Sequence, residues 1–395
     1  MMSSLAWIDF DEAERQRARR IMDLFQESES RDELGLGGIR DSIADHLFPG
    51  TSTIQTRLRY MLFVPWLLRM LEVSTGTAEQ LAAEARGLEL RLANALKAGG
   101  ETKGIIGRDA GANLKRLPSS VYWAGLGSWG IRVFPGSTDS LFSTMRQLLR
   151  GRQQVRESEE SRPSNQFWTH SLPPRPEKLL DSATFRLSID EAQFIVDRLV
   201  SQQPNSLLTF LAKNVDGNAD CTFIWEHPGL ATFPATSRTL VAHGEIFSSV
   251  MHGASLLYNL LLSRLRDNAE WIEHYEARVE EWQGGLNISA VAAWSLEDFW
   301  RAVDHPAHRI PAPTKRFVAE WLEAVRGERG PVSQIASSMH AAALVRDRER
   351  RLKTNQSRFT NHAARDRWGG ASGAERLTFR WHQAKSHLQD LVDAR

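Results

Sequence analysis

Residues Gly35 to Leu71, GLGGIRDSIADHLFPGTSTIQTRLRYMLFVPWLLRML, constrain the fold more than any other stretch of the chain. Tyr60 to Leu68 carry no charge over nine residues. Such a run must be buried, so whatever packs around it forms a domain core. Upstream, Ile39, Ile43 and Leu47 share one helical stripe, and Pro49-Gly50 ends that helix. Thr51, Ser52 and Thr53 are competent N-caps, which predicts a second helix from there to about Leu71, kinked or restarted at Pro65. Four arginines fall within the same 37 residues. Nothing in the stretch is arranged to react; it is organised to hold something.

Helical periodicity runs through the rest of the chain. Asp11 can cap a helix beginning at Glu12, with Ala18, Ile21, Met22 and Phe25 in helical spacing, and Leu81, Ala85, Leu88 and Leu92 mark a helix over Thr77 to Lys97. Residues 1–100 are therefore expected to form an N-terminal helical domain. Residues 101–150 read as helix, turn, helix and short strand. Pro118 starts a helix, Gly127 to Gly130 form a turn, Ile131 to Phe134 is a β-type run, and Ser137 or Asp139 caps a helix to Arg150. A helix-turn-helix or winged-helix-like segment has this order, although the second strand of a wing is not evident.

Residues 151–178, rich in Ser, Pro and charge, read as a linker. Residues 179–330 are expected to form a helical bundle. Ser188 to Glu191 is a capping box, and Asn205 caps a helix over Ser206 to Ala212. Cys221 to Trp225 is a lone strand or part of a turn. Ile246 to Leu265 is the buried central helix, and Asp267 to Trp282, Leu286 to Val303 and Thr314 to Val325 complete the bundle. Residues 331–395 form a basic C-terminal segment. The expected class is mainly α, multi-domain, with few short strands.

At 395 residues the chain is too long for one small core. Its formal net charge is only +1, so any polyanion contact must come from local patches. A single cysteine, Cys221, excludes an internal disulfide framework and zinc sites built on paired cysteines, and fits a reducing cytosol. The N-terminal residues lack the basic start and apolar run of a signal peptide. No stretch reaches 18 uniformly apolar residues, so neither a membrane span nor a membrane partner is expected, and a cytoplasmic location is.

A search for reactive groups returns little. His382 and His387 are five apart with Gln383 after the first, which is not the metalloprotease spacing, and Pro306 separates His305 from His308. No metal, no cofactor and no catalytic residue is expected. Gly125, Gly127 and Gly130 spell a dinucleotide-binding pattern, but a helix precedes it and a strand follows, the reverse of what a pyrophosphate site needs. Gly35, Gly37 and Gly38 read as a helix-joining turn, with a phosphate cradle as the alternative.

Cationic stretches interleaved with aromatic residues are the remaining lead. Thr51, Ser52 and Thr53 could hold a phosphate near Arg57 and Arg59, and Lys115, Arg116 and Arg132 flank Tyr122, Trp123 and Trp129. These eight residues, the three hydroxyls and five cations, are the candidate nucleic-acid contacts. From Ala341 to Arg395 twelve cationic side chains face six acidic ones, and Arg346, Arg350, Arg351, Lys353, Arg358 and Trp368 are the candidate partner surface. Thirteen tryptophans against four tyrosines are read as rigid core filler, with base-stacking platforms as the sharper alternative.

Three stretches, LAWIDFDEAERQRARRIMDLF, ELGLGGIRDSIADHLFPGTSTIQTRLRYMLFVPWLLRML and SSVYWAGLGSWGIR, resemble an uncharacterised bacterial family catalogued as domain of unknown function 6361. The resemblance covers nearly the whole chain and brings no catalytic residue. It implies the company of helicases and phospholipase-D-like nucleases in prokaryotic defence clusters. The resulting expectation is a non-enzymatic DNA-associated or scaffolding component of an anti-phage or genome-defence complex, touching nucleic-acid backbone and meeting a protein partner such as a helicase or nuclease. The alternatives are a metal-dependent nuclease whose acids assemble only in the fold, and a pure protein–protein adaptor.

Overall fold

The computed structural model describes residues 32–155, 167–214, 220–328 and 330–395. The helix expected from Glu12, the middle of the linker and most of the loop after Asn214 lie outside them. The described residues contain fifteen α-helices and no strand, so the mainly α class holds. In chain order these are α1 (Gly37–Leu47), α2 (Tyr60–Met70), α3 (Ala78–Ala98), α4 (Pro118–Ser128), α5 (Thr138–Val155), α6 (Ile189–Gln202), α7 (Leu207–Lys213), α8 (Ala235–Leu265), α9 (Ala269–Gly285), α10 (Ile288–Ala293), α11 (Leu296–Ala302), α12 (Ala312–Val325), α13 (Met339–Lys353), α14 (His362–Asp366) and α15 (Trp381–Val392).

Several local expectations are corrected. The second helix begins at Tyr60, not at Thr51, because Thr51 to Arg59 are turns and Arg59 provides no side-chain cap. Ile131 to Phe134 is not a strand: only Arg132 bridges, singly, to Trp168. α4 and α5 are separated by residues 129–137, longer than the three- or four-residue turn of a helix-turn-helix, and that reading is not confirmed. Of the two readings of Cys221 to Trp225 the turn is the one formed, ending in a 3-10 turn at Ile224–Glu226, and the strand is not. Ser206, not Asn205, caps α7, accepting from the Thr209 amide at 3.1 Å. The helix expected over Leu286 to Val303 breaks at Trp294, where Ser295 recaps α11. The capping box at Ser188 and Glu191 forms, and Thr77 with Gln80 makes a second one.

The described residues gather into two units, each built from discontinuous stretches. The first contains residues 32–43 and Thr239–Phe379, the second Ala44–Arg238 and Arg380–Arg395. The basic C-terminal segment is thereby divided between them.

In the first unit, most of α8 is the spine. It is long and apolar enough by composition to cross a membrane, but 78% of its most apolar window is buried inside the protein. Several of its polar side chains are spent inward. The Asn259 amide donates to Ser372 O at 2.9 Å and its carbonyl accepts from Ser372 N at 2.9 Å, while His252 Nε2 lies 3.0 Å from Ala374 O. The indoles of Trp282 and Trp321 donate to Ser249 O and Val250 O on the same helix, each at 2.8 Å. At the start of α1 the Asp32 carboxylate accepts from Leu36 N at 2.6 Å and Gly37 N at 2.7 Å. A carboxylate thus occupies the place a phosphate cradle would offer, and the glycines there join helices.

In the second unit, α2 is apolar all round from Tyr60 to Leu68 and these residues are all buried, as a helical stretch enclosed by other elements must be, with the charged Arg69 exposed in the last turn. Pro65 sits inside it without ending it. Tyr60, Tyr122 and Phe185 cluster over its N-terminus with ring centroids 5.2 and 5.4 Å from Tyr60. α15 clamps onto the turns that precede α2. Arg380 donates to Thr51 O at 2.9 Å, Gln383 to Thr53 O at 3.2 Å and Ser386 to Thr56 O at 3.0 Å, and Asp390 accepts from Leu58 N at 2.7 Å. Spacings of three to four residues place these four side chains on one helical face. The end of α4 and the turn after it need their glycines: a Cβ on Gly125 in α4 would lie 2.4 Å from Gly50 O, and Gly130 in the turn has φ +61°. Close packing, not a pyrophosphate, explains that pattern.

Candidate nucleic-acid interface

The eight residues expected to contact nucleic acid all lie in the second unit, but they do not form one surface. Thr51 is buried and donates to Phe48 O at 2.6 Å, while Ser52 and Thr53 are half-buried beside α15.

Arg57 is committed internally. Its Nε and Nη2 reach Asp390 Oδ1 at 2.9 and 2.6 Å, and its guanidinium lies 4.8 Å over the Phe185 ring. Burial works against the charge, but the bond to Asp390 and the fields of Asp390, Glu101 and Asp393 outweigh it and raise the Arg57 pKa above its ordinary value. A cation ringed by three acids has little field left for a phosphate.

Arg59 donates to Glu191 Oε1 at 2.7 Å and to Thr184 O at 2.8 Å. Arg132 turns inward to the carbonyls of Trp123, Phe134 and Gly136 and stacks 4.6 Å over Trp123. These three arginines hold loops in place, a use that depends on partners far away in sequence.

Lys115 and Arg116 differ. Both are exposed, and neither makes an ion pair among the described residues. They end the loop between α3 and α4, and the structure adds to them Lys97, Lys103 and Arg108, which are exposed as well. Over residues 97–116 these five cations face two acids, and one of those, Glu101, is used in accepting from Phe185 N at 2.6 Å.

The loop is pinned from beneath. Thr56 Oγ1 donates to Gly104 O at 2.7 Å, Ile106 N to the Tyr60 hydroxyl at 2.9 Å, and Arg86 Nη2 to Leu114 O at 2.9 Å. Buried Glu89 accepts from both the amide and the hydroxyl of Ser119 at 2.7 Å, fixing the start of α4, and its burial raises its pKa to about 7. Gly104 and Gly107, both at φ +81°, supply the left-handed turns between pins. A backbone held at fixed points with cationic side chains hanging between them can line up on successive phosphates. The signal was present in the sequence as cations spaced by five glycines from Gly99 to Gly111, and went unread because no helical period links them.

All twelve tryptophans among the described residues are buried or half-buried, so the core-filler reading of the indoles is the one realised. Among the same residues no three His, Cys, Asp or Glu side chains converge to hold a metal ion.

The candidate partner residues belong to the first unit and divide in the same way. Arg346, Arg350 and Arg351 are exposed on α13, with Arg350 3.8 Å from Asp347. Lys353 and Arg358 both bind Glu33, at 3.2 and 2.7 Å, and Arg358 also donates to the Tyr258 hydroxyl at 2.8 Å. Trp368 is fully buried against Trp271, with centroids 5.1 Å apart. A surface for a partner on this segment therefore comes down to the three exposed arginines of α13.

The sequence profile of a family of unknown function (DUF6361) matches residues 2–395, and the chain belongs to that family. No curated protein and no solved structure matches the chain.

Proposed function

We propose that this member of the family is a non-catalytic, nucleic-acid-associated component of a prokaryotic anti-phage or genome-defence complex. It grips phosphate backbone through the loop between α3 and α4 and meets a protein partner through Arg346, Arg350 and Arg351. One observation carries the reading: four exposed cations sit on a loop pinned at Gly104, Ile106 and Leu114, with Lys97 at the end of α3 beside it, and Lys115 and Arg116 without an ion pair among the described residues. The defence setting rests on the family resemblance alone.

The test is fluorescence anisotropy on a labelled DNA duplex over a range of sodium chloride. Binding is expected to weaken steeply with salt and to need no divalent metal. Lys115→Ala with Arg116→Ala is expected to lower the log–log salt slope by about two, one for each lost phosphate contact. Arg57→Met is expected to leave that slope unchanged. Salt-independent binding, or an unchanged slope in the double variant, would refute the reading.

A further inference from the structure

Docking of α15 strains its own junction and leaves polar atoms unpaired on the face it covers. Phe379 and Arg380, which lead into the helix, have φ of +52° and +65°. Two adjacent side chains with a Cβ in the left-handed region are strained, and among the described residues only Asp267 and Thr354 share that conformation outside glycine. His387 lies on the buried face of α15, and neither ring nitrogen has a hydrogen-bond partner among the described residues. In the turns that α15 clamps, Ser52 Oγ and Gln55 Oε1 are also buried without a partner among those residues. Each such atom regains its hydrogen bonds once water reaches it.

The forces that hold α15 down are of two kinds. Arg380, Gln383, Ser386 and Asp390 bond to the backbone of the turns, and water can replace each of those bonds. Trp381 is fully buried, with its ring 5.7 Å from Phe48 and 5.9 Å from His227. The apolar contact is incomplete further along, where a cavity of about 770 Å³ is lined by Leu388 and Val392 of α15 and by Phe210 and Phe233.

We propose that α15 is a strap that leaves the turns as a unit while α2 stays folded, and that a proton on His387 drives it off. Release uncovers the Arg57 guanidinium and the Leu58 amide, both held by Asp390 in the docked state. The inference is independent of what the loop between α3 and α4 binds.

The groups around α15 set the direction of the response. Burial, with the Arg57 charge facing it from the turns, lowers the His387 pKa to about 4. In water the ring returns to about 6.5, so acid favours the released state. His227, beside Trp381, is also lowered by burial and acts in the same sense. Asp390 is raised by burial in spite of its bonds to Arg57 and Leu58, and acts in the opposite sense. Cys221 is raised by burial and stays a thiol throughout. Arg380 pairs with Asp45 and Lys385 with Asp220, while His382 and Asp393 are exposed.

The test is hydrogen exchange of the full chain, read by mass spectrometry at pH 7.5 and pH 5 and corrected for the intrinsic exchange rate. Amides of α15 and of residues 51–58 are expected to exchange together, through an opening at least about tenfold more frequent than the one that frees the amides of α2. His387→Leu removes the titration and leaves Asp390 and His227 in place. The ratio of the α15 opening constant in the parent to that in the variant is expected to rise about thirtyfold from pH 7.5 to pH 5. An unchanged ratio, or α15 amides that exchange only in step with those of α2 at both pH values, overturns the proposal. The second outcome is read on the parent alone and needs no variant.

Discussion

Arg57 and Asp390, 333 residues apart in sequence, meet through two guanidinium nitrogens, the closer contact at 2.6 Å. The same carboxylate accepts from Leu58 N at 2.7 Å. One buried acid from the last helix therefore neutralises a cation and satisfies the backbone at the entrance to α2. Together with Arg380, Gln383 and Ser386 it converts the hydroxyl-rich turn from a phosphate site into a docking strip for α15.

Removing that acid should be costly. Asp390→Ala leaves the half-buried Arg57 charge without its closest partner and the Leu58 amide without an acceptor. Breaking such a pair from one side typically costs about 3–5 kcal/mol. Arg57→Met removes the charge but keeps the alkyl packing on Phe185, and combining it with Asp390→Leu should recover much of the loss. Urea denaturation of the three variants checks this, and equal losses for the single Asp390 variant and the double variant would contradict it.

What could be read from sequence followed the range of the interaction. Stripes such as Ile39, Ile43 and Leu47, the capping box at Ser188 and the burial of Tyr60 to Leu68 are local patterns with fixed spacing, and each one formed. The roles of Arg57, Arg59 and Arg358 were not legible. Their partners Asp390, Glu191 and Glu33 lie 333, 132 and 325 residues away, and no period connects them. Lys115 and Arg116 could be picked out as cations, but that no acid among the described residues pairs with them could not, because that depends on which acids the fold brings near.

Glu89 gives the α3–α4 junction a pH dependence. Its carboxyl is raised by burial to about 7, from an ordinary 4.5. Between those values the folded chain holds a proton that the unfolded chain has lost, so the stability tied to this group falls as pH rises through the window. The full effect is about 3 kcal/mol. Glu89→Gln keeps both bonds to Ser119 without titrating. Denaturation of parent and variant at pH 5 and pH 8 should show the variant gaining relative to the parent at the higher pH; parallel behaviour would refute the assignment.

Gly253 sits on α8 where Trp282 of α9 crosses it. A Cβ there would lie 2.2 Å from Trp282 Cζ2, and the indole cannot swing away while Nε1 donates to Ser249 O at 2.8 Å. Gly253→Ala gains about 1 kcal/mol of helix propensity. Overpacking of this kind costs about 1–3 kcal/mol. The clash should win, giving a lower melting temperature, with the Trp282 environment shifted in near-ultraviolet circular dichroism. A stabilised variant would show that the contact is looser than described.

His387 is buried against Trp129, with ring centroids 6.4 Å apart, and among the described residues neither of its ring nitrogens has a hydrogen-bond partner. Burial, with the nearby Arg57 charge, lowers its pKa to about 4 from 6.5. Here the folded chain binds fewer protons than the unfolded one. The stability tied to His387 is complete above pH 6.5 and is lost as pH falls from there toward 4, by about 3 kcal/mol in all. His387→Leu deletes two unsatisfied polar atoms along with the titration. It should be close to neutral at pH 8, since apolar replacement of unpaired buried groups costs little, and clearly stabilising relative to the parent at pH 4.5. His252, lowered to about 4 in the first unit, keeps its own slope in both proteins and cancels in the difference. Urea melts of the two chains at the two pH values measure that difference, and a constant gap between them would mean that His387 keeps its proton partner when folded.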